Sequence, residues 1–456
     1  MPDLDFYRQK MLKRPGEYEP PLGKIWTRAE SRMWTITMFS GTCVLYAARA
    51  SLPICAAAVA KEFAWNKTDS GTVLSCFFWG YALTQVFAGR IADKYGAEKI
   101  LPYSSLAWTM ITFFTPHLFD FAYWTNYPLV VLLTIRILTG VCQAFHIPSL
   151  ASIVSKHLAA ADKGRVFGIV LAGSHWGTVL AGAIGSILIE WIGWRSLFQF
   201  VGILSLVWCW IFRWVLDKKN GTGGGRSSPQ PDEEVLIDKK HDTIESHLSA
   251  NTPCPSVPWG TLFRHPAFWA AAVAQYTGGN SYSILFNWLP SYFHETFPTA
   301  KGVVYNVVPS LAIVVTSLVA PVMASRALAE GKTVTYTRKL MEGASLIGIA
   351  FCLMLVPMTS SFWLSLLIFT MAMAARGLHH GGVSVNPHDF APNHAGSVFG
   401  VFNACGAITG FVGVYIAGHI LEATNNNWSY VFVVTAAQCV VGAMVYTLLG
   451  TGQKII

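Results

Sequence analysis

The chain has 456 residues, of which 53% are hydrophobic and only 12% charged, against about 25% charged in an ordinary soluble protein. A soluble core cannot absorb that much apolar surface, so the composition excludes a soluble globular domain and indicates a polytopic membrane protein. The formal net charge is +8, and its placement along the chain carries information about topology.

The first 30 residues are polar and include RPGEYEPP, which cannot serve as the apolar region of a cleavable signal peptide. Apolar stretches then predict membrane-spanning helices at 36–59, 72–92, 101–118, 129–152, 166–189 and 197–215. A polar gap follows, and six more are predicted at 269–289, 305–325, 340–356, 362–378, 398–420 and 430–449. The expected fold is an all-α polytopic membrane protein with twelve transmembrane helices. Its parts are an N-terminal arm (1–33), a six-helix half (34–216), a flexible linker (217–260), a second six-helix half (261–450) and a short tail (451–456).

Twelve spans put both termini on one side, and Lys and Arg identify it. The arm holds Arg8, Lys10, Lys13, Arg14, Lys24, Arg28 and Arg32, and the loops after spans 2, 4, 6 and 8 hold most of the others. The opposite loops carry only Lys61, Lys67, Arg195 and Lys301. Both termini are therefore expected to be cytosolic. This asymmetry accounts for the positive charge without a nucleic-acid partner. Asn66-Lys67-Thr68 and Asn427-Trp428-Ser429 are N-glycosylation sequons on the opposite side. The nine Cys are scattered with no CxxC and read as small buried hydrophobes, not as a disulfide or metal framework.

The chain repeats internally. VFGIVLA at 166–172 returns as VFGVFNA at 398–404, and LIE at 188–190 as ILE at 420–422, both at an offset of 232 residues. Two halves related by such a repeat, with the substrate site between them, are the architecture of a rocker-switch transporter. The gap between them is rich in Gly, Ser, Pro and Asn and reads as a linker. Its three glycines at 223–225 lack the GK[ST] ending of a phosphate loop. DEEVLI, Asp232 to Ile237, fits an acidic di-leucine peptide of the kind read by sorting adaptors.

In GRIADKYGAEK (89–99), Gly89 is expected to permit close helix contact, Asp93 to pair with a base or cap a neighbouring helix, Lys94 to face the cytosol and Gly96 to make the turn. The pattern resembles the loop signature of the major facilitator superfamily, which implies that Asp93 gates rather than binds substrate. RILTGVCQA (136–144) resembles the same superfamily's fourth-span pattern. Helical spacing puts Arg136, Gly140, Gln143, Ala144 and Ile147 on one stripe. Eight residues from Pro128 bury Arg136 about 12 Å deep, near the middle of a core about 30 Å thick. Facing lipid there costs at least about 2.5–3.5 kcal/mol, so Arg136 must face protein or a water-filled cavity. A buried ion pair is the bland alternative. In the first span Arg49 shares a face with Tyr46 and Pro53. With no Asp or Glu well inside the first six spans, the half-bundle holds excess positive charge, which suits an anionic substrate.

Four longer segments, SCFFWGYALTQVFAGRIADKYG (75–96), RILTGVCQAFHIPSLASIVSKH (136–157), NWLPSYFHETFP (287–298) and GGVSVNPHDFAPNHAGSVFGVFN (381–403), resemble the anion/phosphate cotransporter branch of that superfamily. The branch carries glutamate, sialate, phosphate or nucleotides, and the likeness covers nearly the whole chain. GTCVLYAARASLPIC (41–55), FFWGYALTQV (77–86), VPWGTLFRHPAFWAA (257–271) and FPTAKGVVYNVVP (297–309) are most similar to its nucleotide carriers. The resemblance implies a substrate-site role for Tyr81, a shaping or gating role for Asn386 and Asp389, and activation by chloride. It also exposes departures from the glutamate carriers. Gly278 stands about where they have an Arg in the seventh span, Leu74 where they have a His, and Gln143 where they have a Glu. A larger site without that titratable group fits a bulkier substrate moved without a proton.

His380 and Arg376 lie one turn apart in AARGLHHGG; His380 is a candidate for the pathway, and Arg376 for either the pathway or an interfacial anchor. Asn287 is a buried amide available to substrate or to a neighbouring helix. His146 and His175 read as packing residues. No nucleophile–base pair, metal cluster or carboxylate dyad appears within the helices, so no enzyme is expected. Moving one charge through 100 mV is worth about 2.3 kcal/mol, so an ATP anion near −4 gains roughly 9 kcal/mol per 100 mV. The expected activity is potential-driven loading of nucleotides into secretory vesicles or lysosomes by a monomeric carrier with no cofactor. The alternative is a carrier of a smaller anion such as sialate, glutamate, urate or phosphate. A receptor or scaffold with a vestigial carrier fold is disfavoured by the intact GRIADKYG motif and the retained Arg49 and Arg136.

Overall fold

The computed structural model of the chain describes residues 26–158, 160–221, 257–392 and 395–456. Arg8, Lys10, Lys13, Arg14 and Lys24 of the arm, and the peptide from Asp232 to Ile237, lie outside the described residues. Within the described residues every regular element is helical. α1 (Arg28–Phe63) starts at a capping box formed by Thr27 and Glu30 and contains Pro53. α2 (Lys67–Tyr95) starts likewise at Asn66 with Asp69. Gly96, at φ 92°, turns the chain into α3 (Ala97–Trp124); this left-handed conformation favours glycine. α4 (Pro128–Gln143), α5 (His146–His157), α6 (Ala160–Trp191) and α7 (Trp194–Gly221) complete the first group. The second group is α8 (Trp259–Arg264), α9 (Pro266–Thr296), α10 (Gly302–Ala329), α11 (Val334–Leu355), α12 (Phe362–Gly377), α13 (Asn386–Phe390), α14 (Ala395–Ala423) and α15 (Trp428–Leu449).

The span expected at 129–152 is two helices, α4 and α5, parted at Ala144 and Phe145. Pro148 has no N–H to donate to the Ala144 carbonyl, so the ladder loses a bond where the helices separate. The stripe drawn on a continuous helix breaks there as well. Arg136, Gly140, Gln143 and Ala144 are buried, but beyond the break His146 is buried in place of Ile147.

Among the described residues nine segments are long and apolar enough, by length and composition, to cross a membrane. α2, α3 and α9 are also long, at 29, 28 and 31 residues, but fall outside that apolar set. In α9 the polar residues Thr277, Asn280, Ser281, Ser283 and Asn287 are buried against protein, where polar side chains serve helix packing. α10 is the opposite case. Leu311, Val315, Leu318 and Val322 are exposed at helical spacing, an outer apolar stripe that needs lipid as its solvent. The protein is a multi-pass membrane protein.

The internal repeat has a structural counterpart. α1 packs on α6, α2 on α4 and α3 on α7; in the second group α9 packs on α14, α10 on α12 and α11 on α15. The 232-residue offset carries each pair onto its counterpart. Between the groups α2 lies on α14, α6 on α10 and α1 on α9. The functional residues collect around these junctions.

Candidate functional site

Glycines bring α2 and α4 together. A Cβ on Gly140 would collide with the Phe77 carbonyl, and one on Gly80 with the Ile137 carbonyl. This contact sets Phe77 and Tyr81 of α2 beside Arg136 and Gln143 of α4, with Arg49 of α1 above them. Arg49 is 8% exposed and Arg136 7%. Nε of Arg49 donates to Oε1 of Gln143 at 3.3 Å. Its guanidinium carbon lies 4.5 Å from the Tyr46 ring, 4.6 Å from Tyr81 and 4.9 Å from Phe77. Nη2 of Arg49 is buried with no hydrogen-bond partner. Nε of Arg136 donates to the Val73 carbonyl at 3.4 Å, and its guanidinium lies 5.4 Å from the Phe77 ring. Phe77 is thus shared by both cations.

Among the described residues neither arginine has an ion-pair partner. Burying a cation is costly unless it is paired, and the aromatic faces return only part of that cost. The arrangement is left in need of an anion. Gln143 is therefore brought to Arg49 as a neutral partner, and Tyr46 and Tyr81 as its aromatic walls. The Tyr81 hydroxyl in turn accepts from Nε2 of Gln85 at 3.3 Å.

The second group of helices contributes a cluster that the sequence did not reveal. Glu342 of α11 is 0% exposed. It contacts Nδ1 of His379 at 2.9 Å through Oε2 and accepts from the Val383 amide at 3.1 Å. A Cβ on Gly382 would lie 2.6 Å from Oε2 of Glu342, so glycine is needed for this approach. The expected span 340–356 put Glu342 near a helix end; α11 begins at Val334 and carries it inside. The His380 ring lies 6.0 Å from His379 and 6.1 Å from His175 of α6. His175, read as a packing residue, thus meets His380 across the junction of the two groups. Gly278, where the resemblance places an arginine in glutamate carriers, faces a different one: a Cβ there would lie 3.8 Å from Cζ of Arg376.

Between these clusters lies a partly open cavity lined by Ala50, His175, Thr178, Tyr282, Phe286 and Asn306 among others. The arginines are not in its lining, but Ala50 follows Arg49, and Met373, one turn before Arg376, is in the wall. Asn287 is not brought to the cavity. Its Nδ2 donates to the Ser283 carbonyl at 2.8 Å within α9, because Tyr282, Phe286 and Leu289 occupy the cavity-facing side of that helix.

The gating candidates lie elsewhere. Asp389 accepts from Nε and Nη2 of Arg338 at 2.8 and 3.1 Å, while Nη1 of Arg338 donates to the Gly381 carbonyl at 3.0 Å. Asn386 accepts from the Tyr446 hydroxyl and donates to the Thr451 carbonyl at 2.8 Å. The expected tail at 451–456 is seated on α13, with the Ile455 amide donating to the Phe390 carbonyl at 2.8 Å. Lys94 is exposed, its Nζ 5.3 Å from the Tyr95 ring. Among the described residues, the nearest heavy atom to a Cβ on Gly89 is Cβ of Pro148 at 4.0 Å, an ordinary contact. Asp93 lies within α2, and its side chain is outside the described residues.

The two groups meet tightly at one end. Lys67 forms an ion pair with Glu295 of α9, and its amide donates to Oε2 of Glu422 of α14 at 2.9 Å. Thr68 meets Nδ1 of His419 at 3.1 Å, and Nδ2 of Asn306 donates to Oγ of Ser186 at 2.9 Å. Both sequon asparagines are helix caps at this end: Asn66 accepts from the Asp69 amide at 2.7 Å and Asn427 from the Ser429 amide at 3.1 Å. Toward the other end, the repeat-related Gly168 and Gly400 would each present a Cβ to open space.

Paired helical groups, lipid-facing outer stripes and a cavity at their junction flanked by unpaired cations define a membrane carrier. The chain belongs to the major facilitator superfamily, whose family model matches residues 37–414. It is 39% identical over 435 residues to the human voltage-gated purine nucleotide uniporter SLC17A9, covering 94% of each chain. It is 37% identical to the rat protein of the same name, covering 95% of this chain and 92% of that one. A sodium-dependent phosphate transport protein 1 of Arabidopsis thaliana chloroplasts is 27% identical over 94% of this chain and 81% of its own length. The crystal structure of a bacterial homologue of the human lysosomal transporter Spinster, inward-facing and unoccupied, shares the fold at a TM-score of 0.72 and 14% identity, covering 93% of this chain and 98% of its own.

Proposed function

We propose that this protein is a membrane-potential-driven carrier of nucleotide anions, ATP and ADP among them, that loads them into secretory vesicles or lysosomes by alternating access. The observation that carries this reading is the buried pair Arg49 and Arg136, which meets aromatic faces, an amide and a carbonyl but no described carboxylate. A fixed cation without its counter-ion in a membrane carrier marks the place of an anionic substrate. The names of the human and rat relatives support nucleotide as that anion. Gln143 on Arg49, in place of a carboxylate, supports a driving force from potential rather than from protons.

In this reading the chain crosses the membrane twelve times with cytosolic termini, counting α4 with α5 as one span and adding α2, α3 and α9 to the nine apolar segments. The end closed by Lys67, Glu295 and Glu422 then faces the lumen, and Arg338–Asp389 and Asn386 brace the cytosolic gate. Chloride acts as an activator, adaptors read Asp232 to Ile237, and the carrier works as a monomer. The test is a substrate panel. Purified protein in liposomes with an inside-positive potential is offered labelled ATP, ADP, glutamate, sialate and phosphate. Uptake of the nucleotides supports the proposal. Uptake of sialate, glutamate or phosphate without ATP favours the smaller-anion reading, to which the Arabidopsis relative's name gives some support.

A further inference from the structure

In the charge cluster of the second helical group, Nε and Nη1 of Arg376 are buried and have no hydrogen-bond partner among the described residues. The nearby Glu342 carboxylate directs its hydrogen bonds elsewhere. Glu342 is engaged by Nδ1 of His379, at 3.1 Å to Oε1 and 2.9 Å to Oε2, and by the Val383 amide. No ion pair joins Arg376 to a described residue. The wall opposite is cut back: Gly278 has no side chain, and a Cβ there would stand 3.8 Å from both Cζ of Arg376 and Oε1 of Glu342. A guanidinium is the side chain best shaped to grip phosphate oxygens in pairs. Tyr282 is in the cavity wall together with Met373, one turn before Arg376, and Ala50, the neighbour of Arg49. Arg376 and Arg49 thus flank the same cavity from the two groups of helices.

We infer that Arg376 is a substrate-binding residue of the second half, taking one anionic group of a polyanion whose other end is held by Arg49 and Arg136. The inference rests on the cavity being the carrier's substrate site. It adds that the cargo bridges the two halves, so a diphosphate-length anion is gripped from both sides and a single phosphate from one. Bridging also gives binding a way to drive closure, because the substrate engages cations of both halves at once.

The experiment reads anion binding to the purified full chain by its thermal shift, with inorganic pyrophosphate, inorganic phosphate and ATP as probes, for wild type, Arg376→Gln and Arg376→Lys. Arg376→Gln is expected to weaken pyrophosphate and ATP about ten- to a hundredfold and phosphate far less, with Arg376→Lys retaining part of the affinity. Where the Gln variant does not fold, Gly278→Glu, which leaves Arg376 in place but sets a carboxylate beside it, should give the same selective loss. Pyrophosphate affinity unchanged by Arg376→Gln, or pyrophosphate and phosphate weakened alike, overturns the inference. Because pyrophosphate binding is read without nucleotide transport, a wild-type protein that binds pyrophosphate through Arg376 yet moves no ATP would sink the proposed function and leave this inference standing.

Discussion

Nε of Arg49 on α1 donates to Oε1 of Gln143 on α4 across 3.3 Å of buried space. A neutral amide thus sits where a carboxylate would cancel the charge. Replacing it with one is the most specific perturbation of the site. Gln143→Glu should form a buried ion pair with Arg49 and lower nucleotide uptake by at least about tenfold at neutral pH. Full uptake by the variant at pH 7 would show that Arg49 does not need its free charge.

Arg136→Ala should abolish uptake while the protein remains folded and correctly sorted, because among the described residues Arg136 meets just the Val73 carbonyl and the Phe77 ring. Uptake in proteoliposomes and monodispersity in detergent check the two halves of that statement. Normal transport by the variant would reduce Arg136 to a packing element.

Lys67 and Glu295 tie the start of α2 to the end of α9. Lys67→Glu should place like charges against Glu295 and Glu422 and open that end, and Glu295→Lys in the same chain should restore part of the closure. Labelling of a cysteine introduced near Gly71 measures it. Labelling unchanged by the charge reversal would mean that this ion pair does not hold the gate.

Glu342 gathers His379 and the Val383 amide in a fully buried place, and Gly382 makes room for it. Glu342→Ala leaves two buried donors unmet and should cost about 1–3 kcal/mol for each. Gly382→Ala should destabilise by about 1–3 kcal/mol through overpacking against the carboxylate. Both appear as a lower midpoint of thermal unfolding in detergent. A midpoint unchanged in either variant would remove the cluster's structural role.

Much of this was legible in sequence because membrane physics leaves few choices. The apolar runs predicted a chain of membrane-spanning helices and the 232-residue repeat two related halves, and the rarity of charge made Arg49 and Arg136 conspicuous. The bend after Gln143 was less visible, since Pro148 is the third residue of α5, in the first turn where proline is tolerated. Glu342 was missed because an apolar window sets a helix start where hydropathy rises, whereas α11 begins earlier, at Val334. His175 and His380, 205 positions apart, meet only through the packing of α6 against the second half. No periodicity encodes that contact. Asn287 makes the converse point: Nδ2 of a buried amide can donate within its own helix, here to the Ser283 carbonyl.

The central claim is that buried cations without counter-ions move a nucleotide polyanion by potential alone. Its most direct test is the initial rate of ATP uptake into liposomes holding the wild-type protein, with pH equal on both sides and the membrane potential stepped from inside-negative to inside-positive. The account predicts uptake that rises with inside-positive potential and vanishes when the sign is reversed. Uptake indifferent to potential, or absent until a proton gradient is imposed, would contradict it.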